Sequence, residues 1–249
     1  MTFATLAGAR IPHGVSGGDP YWEDVILLYQ YLASGPYADT SPLAQTVTTH
    51  NELALAAGPF PVTAPAYGSF EEFTDGGSVF VANQVVSSAG GGLWSPSTFS
   101  PFLLTVDAWH YIAAAPAATF GDTIWAWGTN DGVFNCRLGT KGSSPTVSFV
   151  IAGGQVDTAV AVSKNAWHFF RTLFTAIDTA EIWMDGVKIA TVTFSGGNHS
   201  TSAFFTVGPP VTTQNQAPYD AFTSQVRVTK GVLRDGTEVP TAPFPAHGV

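Results

Sequence analysis

Cysteine is nearly absent from this sequence, and its absence bears on where the chain folds. Cys136 is the only cysteine, so the chain cannot close an intramolecular disulfide. Secreted domains rich in loops are usually cross-linked by several disulfides. We therefore expect synthesis and folding in a reducing cytoplasm. Because Cys136 lies in an alternating run without a paired base, we expect a small buried apolar residue rather than a nucleophile.

Charged residues are also scarce, and basic residues are the scarcest. Asp, Glu, Lys and Arg together make up 11% of the chain, against roughly 25% in an ordinary soluble domain. Nine basic against eighteen acidic residues give a formal net charge of -9. That field repels polyphosphate, and no Lys/Arg-rich stripe offsets it locally. The composition therefore argues against nucleic acid as a partner and predicts a surface of uncharged polar residues.

Long apolar runs and targeting signals are missing as well. The longest apolar core, Val25–Leu28, is far shorter than the roughly 20 residues that span a bilayer. The segment Met1–Asp19 contains one basic residue, Arg10, and no continuous apolar stretch, which is unlike a secretory signal peptide. We expect neither membrane insertion nor export.

The sequence is rich in short runs of Val, Ile, Thr and Phe that lie between glycines and prolines, a pattern typical of many short strands. Apolar residues alternate with other residues over 156–162 and 225–229, which predicts strands with one buried face. No segment of helical length has helical periodicity. Further predicted strands are 25–31, 78–82, 102–113, 123–127, 133–138, 146–151, 167–174, 179–184, 187–194 and 203–207.

Asp185-Gly186 lies between two apolar runs within Ile182–Ile189. Asp-Gly supplies the positive φ angles of a two-residue type I′ turn, so the sequence predicts a hairpin here. Many short antiparallel strands bury one face most simply by stacking two sheets. We predict an all-β, two-sheet antiparallel β-sandwich of the jelly-roll kind.

The two ends of the chain differ from this pattern. Residues 1–20 show neither strand nor helix periodicity and predict an extended N-terminal arm, either a frayed terminus or a segment that docks on a neighbour. The candidate docking residues of the arm are Phe3, Leu6, Arg10 and Ile11. Residues 21–249 form a single predicted domain. Its Pro-rich end, about 239–249, cannot donate regularly to a ladder and predicts an extended strap.

Three stretches, taken in order, resemble the laminin-G-like jelly-roll domains of the concanavalin A-like superfamily, above all the versions in bacteriophage virion proteins. Asp24–Leu28 followed by Tyr37–Pro42 and Thr46–Thr48 resembles their first strand, Asp-Ser turn and second strand. Asn165–Phe170 followed by Ala180–Val187 resembles their Trp-His strand and Asp-Gly hairpin. Gln225–Arg234, with the Pro-Thr-Ala-Pro-Phe-Pro ending, resembles their terminal strand and tail.

The resemblance implies a two-sheet jelly roll and a structural role on the virion surface, such as a capsid decoration or head-surface protein. Its partners would be the major capsid protein or other copies of itself. An alternative is a lectin-like module that binds host-surface polysaccharide from a tail or fibre. Fold analogy alone does not decide between these roles. Neither role requires a cofactor.

Related folds also include glucanases, but the carboxylates here do not fit that chemistry. Asp185 follows Glu181 by four positions in the sequence, which is about 13 Å along a strand at roughly 3.3 Å per residue. Glycoside hydrolysis needs carboxyl groups roughly 5 to 9.5 Å apart. Asp185 is moreover required by the turn. We expect no catalytic residues and no enzymatic activity.

Metal ligands are not indicated by spacing. The six histidines are scattered and form none of the motifs that transition metals select. Calcium leaves little trace in sequence, so it stays open, with Asp122, Asp131 and Asp220 as the loop candidates. No metal site is predicted.

Trp125 and Trp127 are the candidate ligand-binding residues. They lie at i and i+2 of a predicted strand, so they project from the same face, and two indole rings on one face could stack on sugars. The alternative is that they belong to the core, where large aromatic side chains usually pack.

Overall fold

The computed structural model describes residues 18–32, 35–43, 47–50, 54–56, 66–68, 73–75, 78–80, 84–87, 103–112, 122–129, 134–151, 154–176, 178–194, 205–207, 221–242 and 244–245. Regular structure in these residues is strand throughout, apart from one short 3-10 helix, Trp22–Asp24. None of the helical structure in these ranges is long and apolar enough to cross a membrane.

The strands are β1 Val25–Leu32, β2 Gly35–Asp39, β3 Val47–His50, β4 Ala54–Ala56, β5 Ala66–Gly68, β6 Phe73–Asp75, β7 Ser78–Phe80, β8 Gln84–Ser87, β9 Leu104–Ile112, β10 Asp122–Thr129, β11 Phe134–Lys141, β12 Thr146–Ile151, β13 Gly154–Ala161, β14 Trp167–Ala176, β15 Thr179–Met184, β16 Val187–Thr193, β17 Phe205–Val207 and β18 Ala221–Lys230.

Two large antiparallel sheets contain nearly all of these strands. The first has nine strands in the order β16-β15-β14-β9-β18-β1-β2, with β5 paired to both β18 and β4. The second has seven strands in the order β13-β12-β11-β10-β17-β8-β3, and β6 pairs with β7 separately. The predicted two-sheet antiparallel β-sandwich is confirmed.

The apolar core lies between the two large sheets. The first sheet contributes Val106 of β9 and Phe174 of β14, and the second contributes Trp125 of β10 and Phe149 of β12, each at most 1% exposed. The Trp125 ring lies 6.4 Å from both phenylalanine rings. Full burial of one such side chain contributes roughly 1.5 to 3 kcal/mol, so this layer provides the main drive for folding.

Local sequence signals fix several boundaries accurately. The structure places β12 and β15 at the predicted residues. The Asp-Gly hairpin is also confirmed, because Asp185 and Gly186 have φ angles of 51° and 78° and Met184 pairs with Val187. Positive φ at both central positions is the requirement of a type I′ turn.

The expectation of one buried and one exposed face is wrong for β18. Val226 and Val228 are fully buried as expected, but Gln225, Arg227 and Thr229 on the other face are at most 5% exposed. The cause is a second cover that the alternation does not reveal: the segment before β1 and the strap after β18 pack over this face.

Strand β13 departs from its alternation in the opposite direction. Val156 is 39% exposed, whereas Val162, just after the strand, is 3% exposed. The strand is the edge of the seven-stranded sheet, and an edge strand is covered only where the facing sheet reaches it.

In the structure, the strap is the chain that follows β18, and it includes the predicted strap of about 239–249. Its described residues, 231–242 and 244–245, contain no strand and cross the outer face of the nine-stranded sheet. It approaches the β15–β16 hairpin so closely that a Cβ on Gly236 would lie 2.4 Å from the Trp183 ring, and one on Gly186 would lie 2.8 Å from the carbonyl oxygen of Thr237. Gly186 therefore serves two purposes, the turn and the strap contact. The arm residues Phe3, Leu6, Arg10 and Ile11 lie outside the described residues.

Candidate functional site

A row of charged side chains crosses the outer face of the nine-stranded sheet. Asp107 of β9 is the strand partner of both Arg171 of β14 and Arg227 of β18. Arg171 donates from Nε to Oδ1 of Asp107 at 2.6 Å, and Arg227 donates from Nη2 to Oδ2 at 2.6 Å. These side chains are at most 6% exposed. They form buried ion pairs at the centre of the sheet.

Burial by itself would raise the pKa of Asp107. The charges of Arg171 and Arg227 and the hydrogen bond from Arg171 outweigh that effect and hold the pKa of Asp107 far below its usual value. The carboxylate is therefore ionised whenever the protein is folded near neutral pH. A buried charge of this kind depends on keeping its partners.

A second layer of the network joins the segment before β1 to the chain after β18. Asp19 accepts from Nη1 of Arg227 at 2.8 Å and from Nη2 of Arg234 at 2.9 and 2.8 Å. Nε of Arg234 donates to Oγ1 of Thr229 at 2.9 Å. The network thus joins three arginines to two aspartates, and the carboxylates of Asp235 and Glu238 add their negative charge beside Arg171.

Burial and neighbouring charges act differently on the arginines of the network. Burial, followed by the like charge of Arg227, lowers the pKa of Arg234, although Asp107 and Asp19 oppose this. By contrast, Asp107 raises the pKa of Arg171 against the effect of burial. At Arg171 the nearby carboxylates prevail over burial, whereas at Arg234 burial and the charge of Arg227 prevail over Asp107 and Asp19.

The strap completes the cover over the network. Nη1 of Arg171 donates to the carbonyl oxygens of Asp235 and Glu238. Phe244 places its ring 4.1 Å from the Arg227 guanidinium carbon, and its backbone N–H donates to Oε1 of Gln225 at 2.8 Å. Cation–π contacts of this kind are worth roughly 0.5 to 2 kcal/mol. The strap is therefore held by both polar and aromatic contacts.

A cleft of about 440 Å³ remains between the strap and the segment before β1. Its lining includes all three arginines, the ring of Tyr21, Phe244, and the rim residues Asp235 and Glu238. The Arg234 guanidinium carbon lies 5.0 Å from the centroid of the Tyr21 ring. The cleft combines fixed guanidinium groups, aromatic walls and an acidic rim.

A second polar cluster lies at the end of β14, outside the cleft. Nε2 of His168 lies 2.8 Å from Oγ of Ser163, and its Nδ1 lies 2.6 Å from Oδ2 of Asp185. This order of contacts matches that of a Ser-His-Asp triad. Asp185 Oδ1 also accepts the Phe169 backbone N–H at 2.8 Å.

Two observations favour a structural clamp over a nucleophile and its base. Nε2 of His168 also lies 3.2 Å from the carbonyl oxygen of Ser163, which can only accept, so that contact requires a proton on Nε2. The hydrogen bond to Asp185, opposed by burial, raises the pKa of His168, which favours the doubly protonated ring. Such a ring donates to both partners and cannot remove a proton from Ser163.

The structure places the two candidate tryptophans in the inner part of the seven-stranded sheet. Trp125 is fully buried among core residues and has no ring face for a sugar, so the sugar-platform reading of Trp125 is wrong. Its neighbours Ile124 and Ala126 are also fully buried. The backbone of Trp127 pairs with Cys136 and Phe205, while its side chain lies outside the described part.

The remaining candidates are occupied or lie elsewhere. Cys136 is buried, and burial raises the pKa of its thiol, as expected of an inert cysteine. Glu181 accepts from Lys188 and Trp183. The described residues contain no group of three or more potential metal ligands. Asp131 and Asp220 lie outside the described residues, as does the side chain of Asp122.

The sequence reasoning missed the residues of the buried network, Asp19, Asp107, Arg171, Arg227 and Arg234. One signal was present. In a chain with only 11% charged residues, a charge inside an apolar strand such as Val226-Arg227-Val228 is expensive to bury without a partner. Partners from distant parts of the chain, however, leave no local pattern.

No family model and no curated protein sequence matches this chain. Solved structures with a similar fold do exist. They include the binding domain of Paraclostridial Mosquitocidal Protein 1, with a TM-score of 0.62 and 9% identity over 86% of this chain and 51% of that one. The Botulinum Neurotoxin Type G receptor binding domain has a TM-score of 0.59 and 9% identity over 86% and 50%.

A third similar structure, of botulinum neurotoxin type C, is described as concerning an interaction with two ganglioside molecules. Its TM-score is 0.58 and its identity 13%, over 86% of this chain and 49% of that one. The chain therefore spans about half the length of these toxin domains. At such low identity the likeness establishes a shared β-sandwich fold.

Proposed function

We propose that this chain is a non-enzymatic β-sandwich module that binds or covers a surface, and that its role is that of a bacteriophage virion structural protein. In this role it is a capsid decoration or head-surface protein, displayed on the virion after synthesis in the host cytoplasm. It is attached through its arm and through contacts with the major capsid protein or with other copies of itself.

The observation that carries this proposal is the terminal strand and strap. The stretch that resembles the phage proteins, Gln225–Arg234 with its Pro-rich ending, contributes Arg227 and Arg234 to the buried network. Arg227 and Arg234 pair with Asp19, which lies at the end of the predicted arm, residues 1–20. These ion pairs fix the last residues of the arm to the outer face of the nine-stranded sheet.

The charge distribution supports a covering role over a catalytic one. Within the described ranges, the buried carboxylates Asp19 and Asp107 pair with arginines, and buried Asp39 accepts from Leu28 and Ser41. The Ser163 cluster has the geometry of a clamp. With 11% charged residues in the chain, we expect a surface that is mostly uncharged and polar. Such surfaces suit close packing against neighbours, where unpaired charges would be costly to desolvate.

Deletion of residues 1–20 tests the anchoring role. Because Asp19 belongs to the buried network, a matched deletion of residues 1–16 separates anchoring from folding. We expect both variants to lose attachment to particles in electron micrographs, and only the longer deletion to lower the unfolding temperature. If the variant without residues 1–16 occupies particles as the wild type does, anchoring by the arm is disproved. If the wild-type chain itself is absent from particles, the virion role is disproved.

A carbohydrate-binding module for host-surface polysaccharide is the second candidate. It is favoured by the fold shared with toxin binding domains, one of them described with gangliosides, and by the aromatic and charged cleft. We expect the full chain to bind a subset of bacterial glycans on an array. A blank across the array, with folded protein verified by circular dichroism, would eliminate this candidate.

A further inference from the structure

One guanidinium nitrogen in the buried network has no acceptor. Arg234 donates from Nε to Thr229 and from Nη2 to Asp19, but its Nη1 donates to no residue in the described part of the chain. Every other guanidinium nitrogen of Arg171 and Arg227 donates at least one hydrogen bond. The side chain of Arg234 is 6% exposed and lines the cleft.

The free donors of Nη1 belong to an arginine that hydrogen-bonds to a single carboxylate. Asp107 is shared by Arg171 and Arg227, and Asp235 and Glu238 act on Arg171, whereas Arg234 hydrogen-bonds to Asp19 alone among the described carboxylates and has the like charge of Arg227 beside it. A single carboxylate placed at Nη1 would satisfy those donors. Charge-assisted hydrogen bonds from arginine to a carboxylate are among the stronger ones in proteins.

The rim of the cleft restricts what can carry that negative group. Asp235 and Glu238 line it, and hydrogen bonds from Thr237 lower the pKa of Asp235, so its carboxylate is ionised and accepts hydrogen bonds. With a net charge of -9 and an acidic rim, the site disfavours a multiply charged anion. It suits a ligand with one carboxylate and several hydroxyl donors.

The volume and walls fit a compact ligand of this kind. Small-molecule sites occupy roughly 300 to 1,000 Å³ and combine apolar walls with a few placed polar groups. The cleft, at about 440 Å³, has Tyr21, Phe244 and the prolines of the strap as its apolar walls. A monosaccharide ring has apolar C–H faces as well as hydroxyls, so it can use both kinds of wall.

We propose that the cleft between the strap and residues 18–21 binds an acidic monosaccharide unit, whose carboxylate accepts from Nη1 of Arg234 and whose hydroxyls donate to Asp235 and Glu238. The inference deepens the carbohydrate-binding candidate above and rests on it, but it is independent of the virion role. It gives that candidate a site and a ligand class.

The test is a titration of the full chain with D-glucuronate, with D-glucose, sodium acetate and sodium sulfate as matched probes. The readouts are isothermal titration calorimetry and the NMR resonance of the Arg234 side-chain Nε–H. We expect glucuronate to bind at least tenfold more tightly than the other three and to shift that resonance. Equal binding of acetate or sulfate would show a general anion site and overturn the proposal of a sugar site. Equal binding of glucose would disprove recognition of the carboxylate.

Variants connect the binding to the cleft. We expect Arg234→Lys, which keeps the charge beside Asp19, to weaken glucuronate binding at least tenfold, and Glu238→Gln to weaken it several-fold. Lys164→Gln, outside the cleft, should have no effect. If Arg234→Lys fails to fold, the wild-type Nε–H shift and Glu238→Gln still decide the matter. Unchanged binding in Glu238→Gln together with an unmoved Arg234 resonance would place the ligand elsewhere.

A final experiment separates failure of the acidic site from failure of the carbohydrate-binding function. The full chain is incubated with immobilised polygalacturonate and with neutral galactan. Retention on polygalacturonate that is lost in Arg234→Lys or in Glu238→Gln is the expected result. Retention on galactan alone would leave carbohydrate binding intact and overturn the acidic site. Retention on neither, together with a blank glycan array, would overturn both.

Discussion

The two faces of the central strands β9, β14 and β18 are both buried, but they are covered in different ways. The inner face has Val106, Phe170 and Val228, which pack in the core between the sheets. The outer face has Asp107, Arg171 and Arg227, which bind one another and the strap. Apolar packing is non-directional and tolerates volume-conserving substitution, whereas buried charges require each partner in place. The inner face specifies the sandwich, and the outer face specifies where both ends of the domain lie.

Among substitutions on the outer face, Asp107→Asn is expected to lower the free energy of unfolding the most. The substitution keeps the shape of the side chain but leaves Arg171 and Arg227 buried without their shared carboxylate. Breaking a buried ion pair by removing one partner costs about 3 to 5 kcal/mol. Urea unfolding followed by tryptophan fluorescence measures the loss.

Asp157→Asn is the matched control for that experiment. Asp157 pairs with Lys141 at 2.8 Å, but the two side chains are 46% and 30% exposed. Exposed pairs contribute about 0.2 to 1 kcal/mol, so the control should lose far less. Similar losses in the two variants would mean that the outer face is not an energetically distinct layer.

Gly236→Ala is expected to have the next largest effect, because it breaks the strap without touching a charge. The added Cβ would lie 2.4 Å from the Trp183 ring, so the strap or the ring must move. Overpacking of this kind costs about 1 to 3 kcal/mol. The exposed strap substitution Thr241→Ala should change stability by less than about 0.5 kcal/mol. Equal stability of Gly236→Ala and the wild type in urea would mean that the strap is not held against the hairpin.

The predictability of each face follows from the range of its contacts. The Asp185-Gly186 turn and the burial of Val226 and Val228 depend on residues within a few positions, so the sequence reveals them. The burial of Arg227 depends on Asp19, 208 residues away, and on Phe244. Alternation alone therefore predicts a solvent-exposed Arg227, and the candidate cleft lined by that residue could not be predicted. The prediction for Trp125 failed for the same reason. Period-two spacing shows that Trp125 and Trp127 share one face of the strand, but it does not show whether that face is buried or exposed.

The His168 cluster, unlike the buried network of arginines and aspartates, should make stability depend on pH above neutrality. The hydrogen bond that His168 donates to Asp185 raises the pKa of His168, so the stabilisation is fully present below about pH 6.5, the ordinary pKa of histidine. It is lost as the pH rises through the raised folded-state pKa. In that window the unfolding free energy should fall by no more than about 1.4 kcal/mol per pH unit. His168→Gln should remove this alkaline slope in urea titrations from pH 6 to 9.

His110 acts in the opposite direction and provides the internal control. Burial, followed by the charge of His168, lowers the pKa of His110 to about 3. The folded protein then binds fewer protons than the unfolded chain between about pH 3 and 6.5, so stability falls as the pH falls through that range. The acidic limb should therefore persist in His168→Gln. An alkaline slope that also persists in that variant would exclude His168 as its source.

The smallest effect is expected from Ser163→Ala, and its size distinguishes a clamp from a catalytic pair. The substitution removes the hydroxyl at 2.8 Å from Nε2 of His168 but leaves the Ser163 carbonyl oxygen, 3.2 Å from the same nitrogen, as an acceptor. An imidazolium that keeps a partner on each nitrogen loses little, so we expect a change below about 1 kcal/mol and nearly unchanged titration of His168 by NMR. A hydroxyl that was a nucleophile would instead be revealed by hydrolysis of p-nitrophenyl acetate that is lost in Ser163→Ala. That result would contradict the clamp, because a ring that donates from both nitrogens has no lone pair with which to activate Ser163.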